Sequence, residues 1–257
     1  MNEKIIESKS NDFYKKLKKI YSNSSYRKNQ NQTILDGPHL IQSFSQNFVP
    51  LAIIKDLSLS NSEIEKIISE SNCPYYNLNH ELFIELSDLK SSTGVLALID
   101  IPKIEPPDTD GLTILLDGIQ DPGNLGSILR TAHATNVKSI VMSETCADLW
   151  SPKTLRGSQG IQFSLYCAVN QDLNKWILNY DYDVMALTTS GESLFKKILN
   201  PNMAIIFGSE GRGISKSLIK NVADNISLPM SKDVESINVA AAASVFMYEF
   251  NRQVNFG

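Results

Sequence analysis

Three stretches of the 257-residue chain hold side chains whose types and spacing could do chemistry. They are DGIQDPGNLGSILR (117–130), FGSEGRGIS (207–215) and LPMSKDVESINVAAAA (228–243). The first carries Asn124 and Arg130, the second Ser209 and Glu210, the third Ser236 and Asn238. Amides, hydroxyls, one carboxylate and one guanidinium can orient a bound molecule and balance charge on it. Gly208 and Gly213 let the backbone come close to such a molecule, because no Cβ intervenes. Several sites are excluded or poorly supported. No GxxxxGK[ST] occurs, and GSEGRG is not a GxGxxG after an early strand with an acidic partner for a ribose. Ser209, Ser236 and His133 bring a hydrolase to mind, but there is no GxSxG elbow. His39 and His80 are isolated and read as cap or surface residues.

Each loop follows an apolar run of strand length. Leu112–Leu116 reads as a fully buried strand. Pro122 suits the first turn of a helix, with Asp121 or Asn124 available as its cap. Leu125, Ile128, Leu129 and Ala132 fall on one side of that helix, and Arg130 points away from them. VKSIVM, DVMALT, AIIFG and NISLPM read as further strands. Ser151 and Pro152 can start a short helix. QDLNKWILNY is helical, with Leu173, Trp176, Ile177 and Tyr180 on one side, and NVAAAASVFMYEFNR is a strong last helix. Strands alternating with helices imply a mostly parallel sheet covered on both faces, whose loops at the carboxyl ends share one site.

The earlier residues read as a separate organisation. Residues 12–21 place Phe13, Leu17, Ile20 and Tyr21 on one helical face, and SNSSYRKNQNQ reads as a loop or mobile connection. Residues 31–102 alternate between strand and helix and form a small α/β module; Ser60 and Asn61 can cap its helix with Ile64, Ile67 and Ile68. IPKIEPPDTDG (101–111), rich in proline and acid, is the best boundary, with 103–111 as linker and 112–257 as the second domain. The net charge of −4 divides unevenly. Residues 1–30 hold eight basic against three acidic residues and form a basic arm, and the remaining 16 against 25 make an acidic body. Such an arm fits nucleic-acid binding or a solvated amphipathic helix. Cys73, Cys146 and Cys167 lack CxxC spacing, which argues against a zinc site and reads as reduced thiols in the core of a cytoplasmic protein. No apolar run approaches the roughly 20 residues of a membrane span, and the first residues have no signal-peptide pattern.

Taken together, the three loops resemble motifs 1, 2 and 3 of the SpoU (TrmH-like) branch of the SPOUT RNA methyltransferases. The resemblance covers roughly residues 112–252. SKSNDFYKKLKKI and TILDGPHLIQSF are similar, more weakly, to the N-terminal arm and the L30e- or L7Ae-like substrate-binding domain of ribosomal-RNA members. The resemblance implies a SPOUT-type α/β domain with a C-terminal deep trefoil knot, preceded by the small L30e-like domain. It implies a homodimer, S-adenosylmethionine as methyl donor with S-adenosylhomocysteine as product, and no metal. The reaction it implies is methylation of a ribose 2′-hydroxyl in RNA, with 23S-type ribosomal RNA ahead of transfer RNA. A non-catalytic RNA-binding or assembly protein of the same fold is the alternative.

By residue, the resemblance implies that Arg130 binds RNA phosphate and assists the hydroxyl, and that Asn124 orients substrate or shapes its loop. Glu210 would orient Arg130 or hold the knot, and Ser236 and Asn238 would bond to the donor's surroundings or the ribose. The donor would lie against Leu187, Thr188, Gly208, Ser209, Gly213, Ile226, Leu228, Pro229, Met230, Ser236 and Asn238. Without the coincidence of three motifs, both asparagines would read as helix caps. The chain departs from the family pattern at three places: Ser209 where asparagine is common, Ile161 where alanine is common, and STGVLAL at the end of the first module where Gln-Gly is common.

Overall fold

The computed structural model describes residues 3–87, 92–107 and 110–256. The chain forms two compact units, Met1–Lys103 with Trp150–Gly160, and Ile104–Leu149 with Ile161–Gly257.

The first unit contains β1 (Glu3–Ile6), α1 (Asp12–Ser22), α2 (Ser24–Gln30), β2 (Gln32–Asp36), α3 (Pro38–Ser45), β3 (Ala52–Asp56), α4 (Ser62–Glu70), β4 (Tyr75–Leu78), α5 (His80–Ile84) and β5 (Val95–Asp100). Its sheet runs β1-β4-β3-β5-β2, with β5 antiparallel to both neighbours and the other pairs parallel. The side chain of Asn11 starts α1 by accepting from the amides of Phe13 and Tyr14. The helix buries Tyr14, Leu17, Ile20 and Tyr21 among Ile34, Ile54, Leu78 and Leu98. Tyr14 thus takes the core position expected of Phe13, which stacks at the margin on Tyr76 at 4.2 Å.

Residues 24–30, expected as a loop, are helical. Asn23 caps α2 from its side chain, and Asn31 closes it with a left-handed backbone at φ 51°. The guanidinium of Arg27 is buried and donates to the carbonyls of Ile20 and Tyr21 at 2.7 Å, satisfying the end of α1. Caps and one buried arginine make this helix, not an apolar stripe.

Helix α7 (Pro152–Ser158), which follows the second unit's β7 in sequence, also belongs to the first unit and packs on β2. It is capped by Ser151 and presents Arg156 to Asp36 at 3.1 Å. The Asp36 side chain is 0% exposed and also accepts from Tyr21, Ser87 and Thr93.

The second unit contains β6 (Leu112–Asp117), α6 (Pro122–Ala134), β7 (Ser139–Ser143), β8 (Tyr166–Gln171), α8 (Leu173–Leu178), β9 (Val184–Thr188), β10 (Glu192–Ser193), β11 (Met203–Gly208), α9 (Lys216–Ile219), β12 (Asp224–Ser227) and α10 (Val239–Asn255). The sheet order is β10-β12-β9-β11-β6-β7-β8, and every neighbouring pair is parallel. Central strands β6 and β11 are almost wholly buried, as apolar runs in a sheet covered on both faces should be. Leu115, Val141, Ala204 and Ile206 pack with Leu173 and Ile177 of α8 on one side. Helices α6 and α10 pack together, joined by a 3.1 Å hydrogen bond between the hydroxyls of Thr131 and Ser244.

Of the three cysteines, Cys73 is buried, while Cys146 and Cys167 are only half-buried, so the core reading holds for one of them. Cys146 sits in a turn after β7, where its thiol donates to the carbonyl of Leu116, and Cys167 lies on edge strand β8. Desolvation still pushes the Cys167 thiol up to about 12. No helix among the described residues is long and apolar enough to cross a membrane.

Candidate active site at the carboxyl ends of the parallel strands

The site begins where β6, β11 and β12 end. Asp121, not Asn124, caps α6: its carboxylate accepts from the amide of Asn124 at 2.8 Å. That leaves the Asn124 side chain in the first turn of α6, free of cap duty. The amide of Ser215 donates to Asp117 at 2.8 Å and ties the second loop to the end of β6.

The second loop is a tight return. The amide of Gly213 donates to the carbonyl of Ser209 at 2.8 Å, and the Ser209 hydroxyl accepts from the amide of Arg212 at 3.3 Å. Two glycines make this turn feasible. Gly213 has φ +66°, and a Cβ on Gly208 would stand 2.2 Å from the carbonyl carbon of Gly213. Serine at position 209 therefore has a defined task, bonding its own loop.

The three loops meet through side chains. Glu210 accepts at one carboxylate oxygen from the amide nitrogens of Asn124 and Asn238, each at 2.7 Å. Asn238 also donates to the side-chain oxygen of Asn124 at 3.0 Å. The oxygen of Asn238 caps α10, accepting from the amides of Ala240 and Ala241. Asn238 is therefore both a cap and a member of the cluster. A carboxylate held by two neutral amides keeps its charge uncompensated and remains available to a ligand.

Two cavities flank this cluster. The first, about 410 Å³, has apolar walls from Leu187, Ile214, Leu228, Met230 and Val239, with Thr188, Ser209 and Ser236 as polar points. The second, about 500 Å³, lies along Asp117–Asp121, Asn124 and Thr145. Ser209, Glu210, Arg212, Gly213 and Val239 line both. The first cavity has the size and mixed lining of a small-molecule pocket. Its apolar slot suits an adenine, and its hydroxyls and glycine backbone suit a polar tail, so the residues fit S-adenosylmethionine.

Of the residues expected around a donor, Leu187, Thr188, Gly208, Ser209, Gly213, Leu228, Met230 and Ser236 line the first cavity. Ile226 does not. It is 0% exposed, in register with Leu187 and Glu192, and its side chain belongs to the core. Alternation puts its neighbour Asn225 at the cavity wall instead. Pro229 is exposed and outside the lining, and Asn238 stands beside the cavity in the carboxylate cluster.

Arg130 is exposed on α6, opposite Leu125, Ile128, Leu129 and Ala132, and lines neither cavity. Among the described residues no hydrogen bond or ion pair joins Glu210 to Arg130 of the same chain; one carboxylate oxygen of Glu210 accepts from the two asparagines. Arg212, Asn225 and Ile237 of the lining escaped the sequence reading. Parity along NISL could have pointed to Asn225, and a position between two glycines of a site loop could have pointed to Arg212. Among the described residues, no cluster of three His, Cys, Asp or Glu side chains could hold a metal ion.

A parallel sheet thus carries a donor-sized cavity beyond its carboxyl ends, walled by three loops that converge on a carboxylate. The model of the SpoU rRNA methylase family matches residues 111–248, and the chain belongs to that family. Among its relatives is the 23S rRNA (guanosine(2553)-2′-O)-methyltransferase RlmP of Bacillus subtilis, 29% identical, with 95% of this chain and 98% of the relative covered. An uncharacterized tRNA/rRNA methyltransferase of Synechocystis is also 29% identical, covering 96% of this chain and 93% of the relative. In fold, the chain matches the SpoU methyltransferase AviRb of Streptomyces viridochromogenes, solved with AdoMet, at TM-score 0.85. That match is 21% identical and covers 95% of this chain and 98% of AviRb.

Proposed function

We propose that the protein transfers the methyl group of S-adenosylmethionine to a ribose 2′-hydroxyl of RNA, and that the RNA is 23S-type ribosomal RNA. The observation that carries this reading is the convergence of Asn124, Glu210 and Asn238 beside a donor-sized cavity. S-adenosylmethionine supplies the methyl on a positively charged sulfur. Leu187, Leu228 and Met230 hold its adenine, and the loop of Gly208 and Gly213 passes close to it. A ribose hydroxyl is a poor nucleophile at neutral pH, so its proton must leave as the methyl arrives. The fixed charge of Glu210 and the amide of Asn124 face the second cavity, where they orient that hydroxyl. The ribosomal assignment draws on the family and on RlmP among the relatives, with the L30e-like module and the basic arm as the RNA-holding part.

The working form is a homodimer in the cytoplasm, its second half knotted at the C-terminal segment. Ala241, Val245 and Tyr248 make an exposed stripe on α10 beside the exposed Ser127, Arg130 and Ala134 of α6. Pairing two copies across this face presents Arg130 to the partner's site, where it meets RNA phosphate. Arg130→Ala then retains fold and donor binding but loses most turnover, read by labelled methyl transfer.

The test is transfer from labelled S-adenosylmethionine to unmodified ribosomal and transfer RNA, followed by alkaline hydrolysis. A 2′-O-methyl blocks cleavage at its own linkage, so label in alkali-resistant dinucleotides from ribosomal RNA is expected. Label in dinucleotides from transfer RNA alone would move the substrate, and label in mononucleotides would mean base methylation. Donor binding without transfer to either RNA would favour the non-catalytic alternative.

A further inference from the structure

We propose that Arg212 holds the 3′-phosphate of the nucleotide being methylated, a contact separate from the one proposed above between Arg130 of the partner subunit and RNA phosphate. The inference rests on the proposed function and adds a substrate-binding residue to it.

Arg212 is the only positively charged residue among the described residues that line the two cavities, and it lines both. Its guanidinium is unpaired: no described residue forms an ion pair or side-chain hydrogen bond with it. The nearest acid in sequence, Glu210, is already engaged by Asn124 and Asn238. The backbone that carries Arg212 is nonetheless fixed. Its amide donates to the Ser209 hydroxyl, and the amide of Gly213 closes the loop on the Ser209 carbonyl. A held backbone with a free guanidinium at a cavity wall suits a residue whose partner is the ligand.

Electrostatics selects the ligand. The second cavity is lined by the carboxylates of Asp117, Asp121 and Glu210. A phosphate brought there is repelled by all three unless cations meet it, and Arg212 is the one that this chain's own described lining supplies. In RNA the 2′-hydroxyl and the 3′-phosphate sit on adjacent carbons of one ribose, so a hydroxyl delivered to the boundary between the cavities brings a phosphate to the same boundary. Arg212 stands at that boundary. Its planar fork can give a phosphate two parallel hydrogen bonds, which a lysine cannot reproduce. The donor's methionine carboxylate is the other anion within the two cavities, and the experiment separates the two sources.

Arg212→Ala and Arg212→Lys are compared with the wild type in two measurements. Calorimetry reads affinity for S-adenosylhomocysteine and for 5′-methylthioadenosine, which lacks the carboxylate. Steady-state methyl transfer to an unmodified 23S ribosomal RNA transcript is followed across a salt series. The expected result is donor affinity within about twofold of wild type and a KM for RNA raised roughly tenfold in Arg212→Ala, with kcat changed far less. Arg212→Lys recovers part of the loss. The salt dependence of log kcat/KM falls by about one phosphate contact, a slope change of roughly 0.7 for a single strand. Two outcomes overturn the phosphate assignment. One is weakened binding of S-adenosylhomocysteine with unchanged binding of 5′-methylthioadenosine, which gives the guanidinium to the donor's carboxylate. The other is no change in either measurement. A wild type that binds S-adenosylhomocysteine yet methylates no RNA overturns the underlying functional reading, and the Arg212 assignment with it.

Discussion

Asp36 in the first unit and Glu210 in the second each sit among hydrogen-bond donors, and the two carboxylates are put to opposite uses. Asp36 in the first unit is 0% exposed, and its partners are the guanidinium of Arg156 and the hydroxyls of Tyr21, Ser87 and Thr93. Both Asp36 oxygens accept from protein groups, so its charge is spent on holding α7 against β2. Glu210 in the second unit is exposed, and its partners are two neutral amides. Its charge stays unpaired at the mouth of two cavities. A buried, charge-balanced carboxylate is a structural fastener, whereas an exposed one held in place by neutral groups is poised for a ligand.

Substitutions can break that contrast. The largest effect is expected at Asp36. Asp36→Ala leaves Arg156 without its countercharge and should cost about 3 kcal/mol or more of stability, as a chemical denaturation midpoint would show. A loss below about 0.5 kcal/mol would mean that the cluster is not a fastener. Glu210→Ala should do the reverse. Methyl transfer falls about 100-fold, near 2.7 kcal/mol of barrier, while the melting temperature stays within about 2 °C, because an exposed side chain contributes little to stability. Parallel loss of stability and activity would erase the distinction. Gly208→Ala tests the turn that carries Glu210. With a Cβ 2.2 Å from Gly213, the loop must move, and affinity for S-adenosylhomocysteine should drop about tenfold. Unchanged affinity would separate the loop from the donor site.

The smallest effect concerns Glu249 near the end of α10, bonded by Arg252 and Gln253. Those hydrogen bonds hold its carboxyl down at about 2. The folded value lies below the unfolded one of about 4.3, so its contribution is complete above that pH and fades as pH falls toward 2. Glu249→Gln should therefore be slightly less stable than wild type at pH 7 and indistinguishable near pH 2. Denaturation at both pH values checks this.

The sequence made the second unit easier to read than the first, for physical reasons. Strands such as Leu112–Leu116 are buried on both faces and show as unbroken apolar runs, and the glycines beside Glu210 mark a loop. Helix α2 has no such signature. It exists because Asn23 and Asn31 cap it and Arg27 reaches back to α1, all of them polar contacts that look like a loop in one dimension. The same blindness hid Arg156, whose partner Asp36 lies 120 residues away. Within the site, residue types were legible and orientation was not. A one-residue parity separates Asn225 at the cavity wall from Ile226 in the core, and helical phase puts Arg130 outside the two cavities.

The most direct test of the account is a crystal structure of the protein with S-adenosylhomocysteine. The account predicts the adenine between Leu187, Leu228 and Met230, with the homocysteine sulfur directed toward the boundary near Glu210 and Arg212. Density for the molecule elsewhere, such as the cavity beside Asp172 and Asn174 at the end of β8, would contradict it.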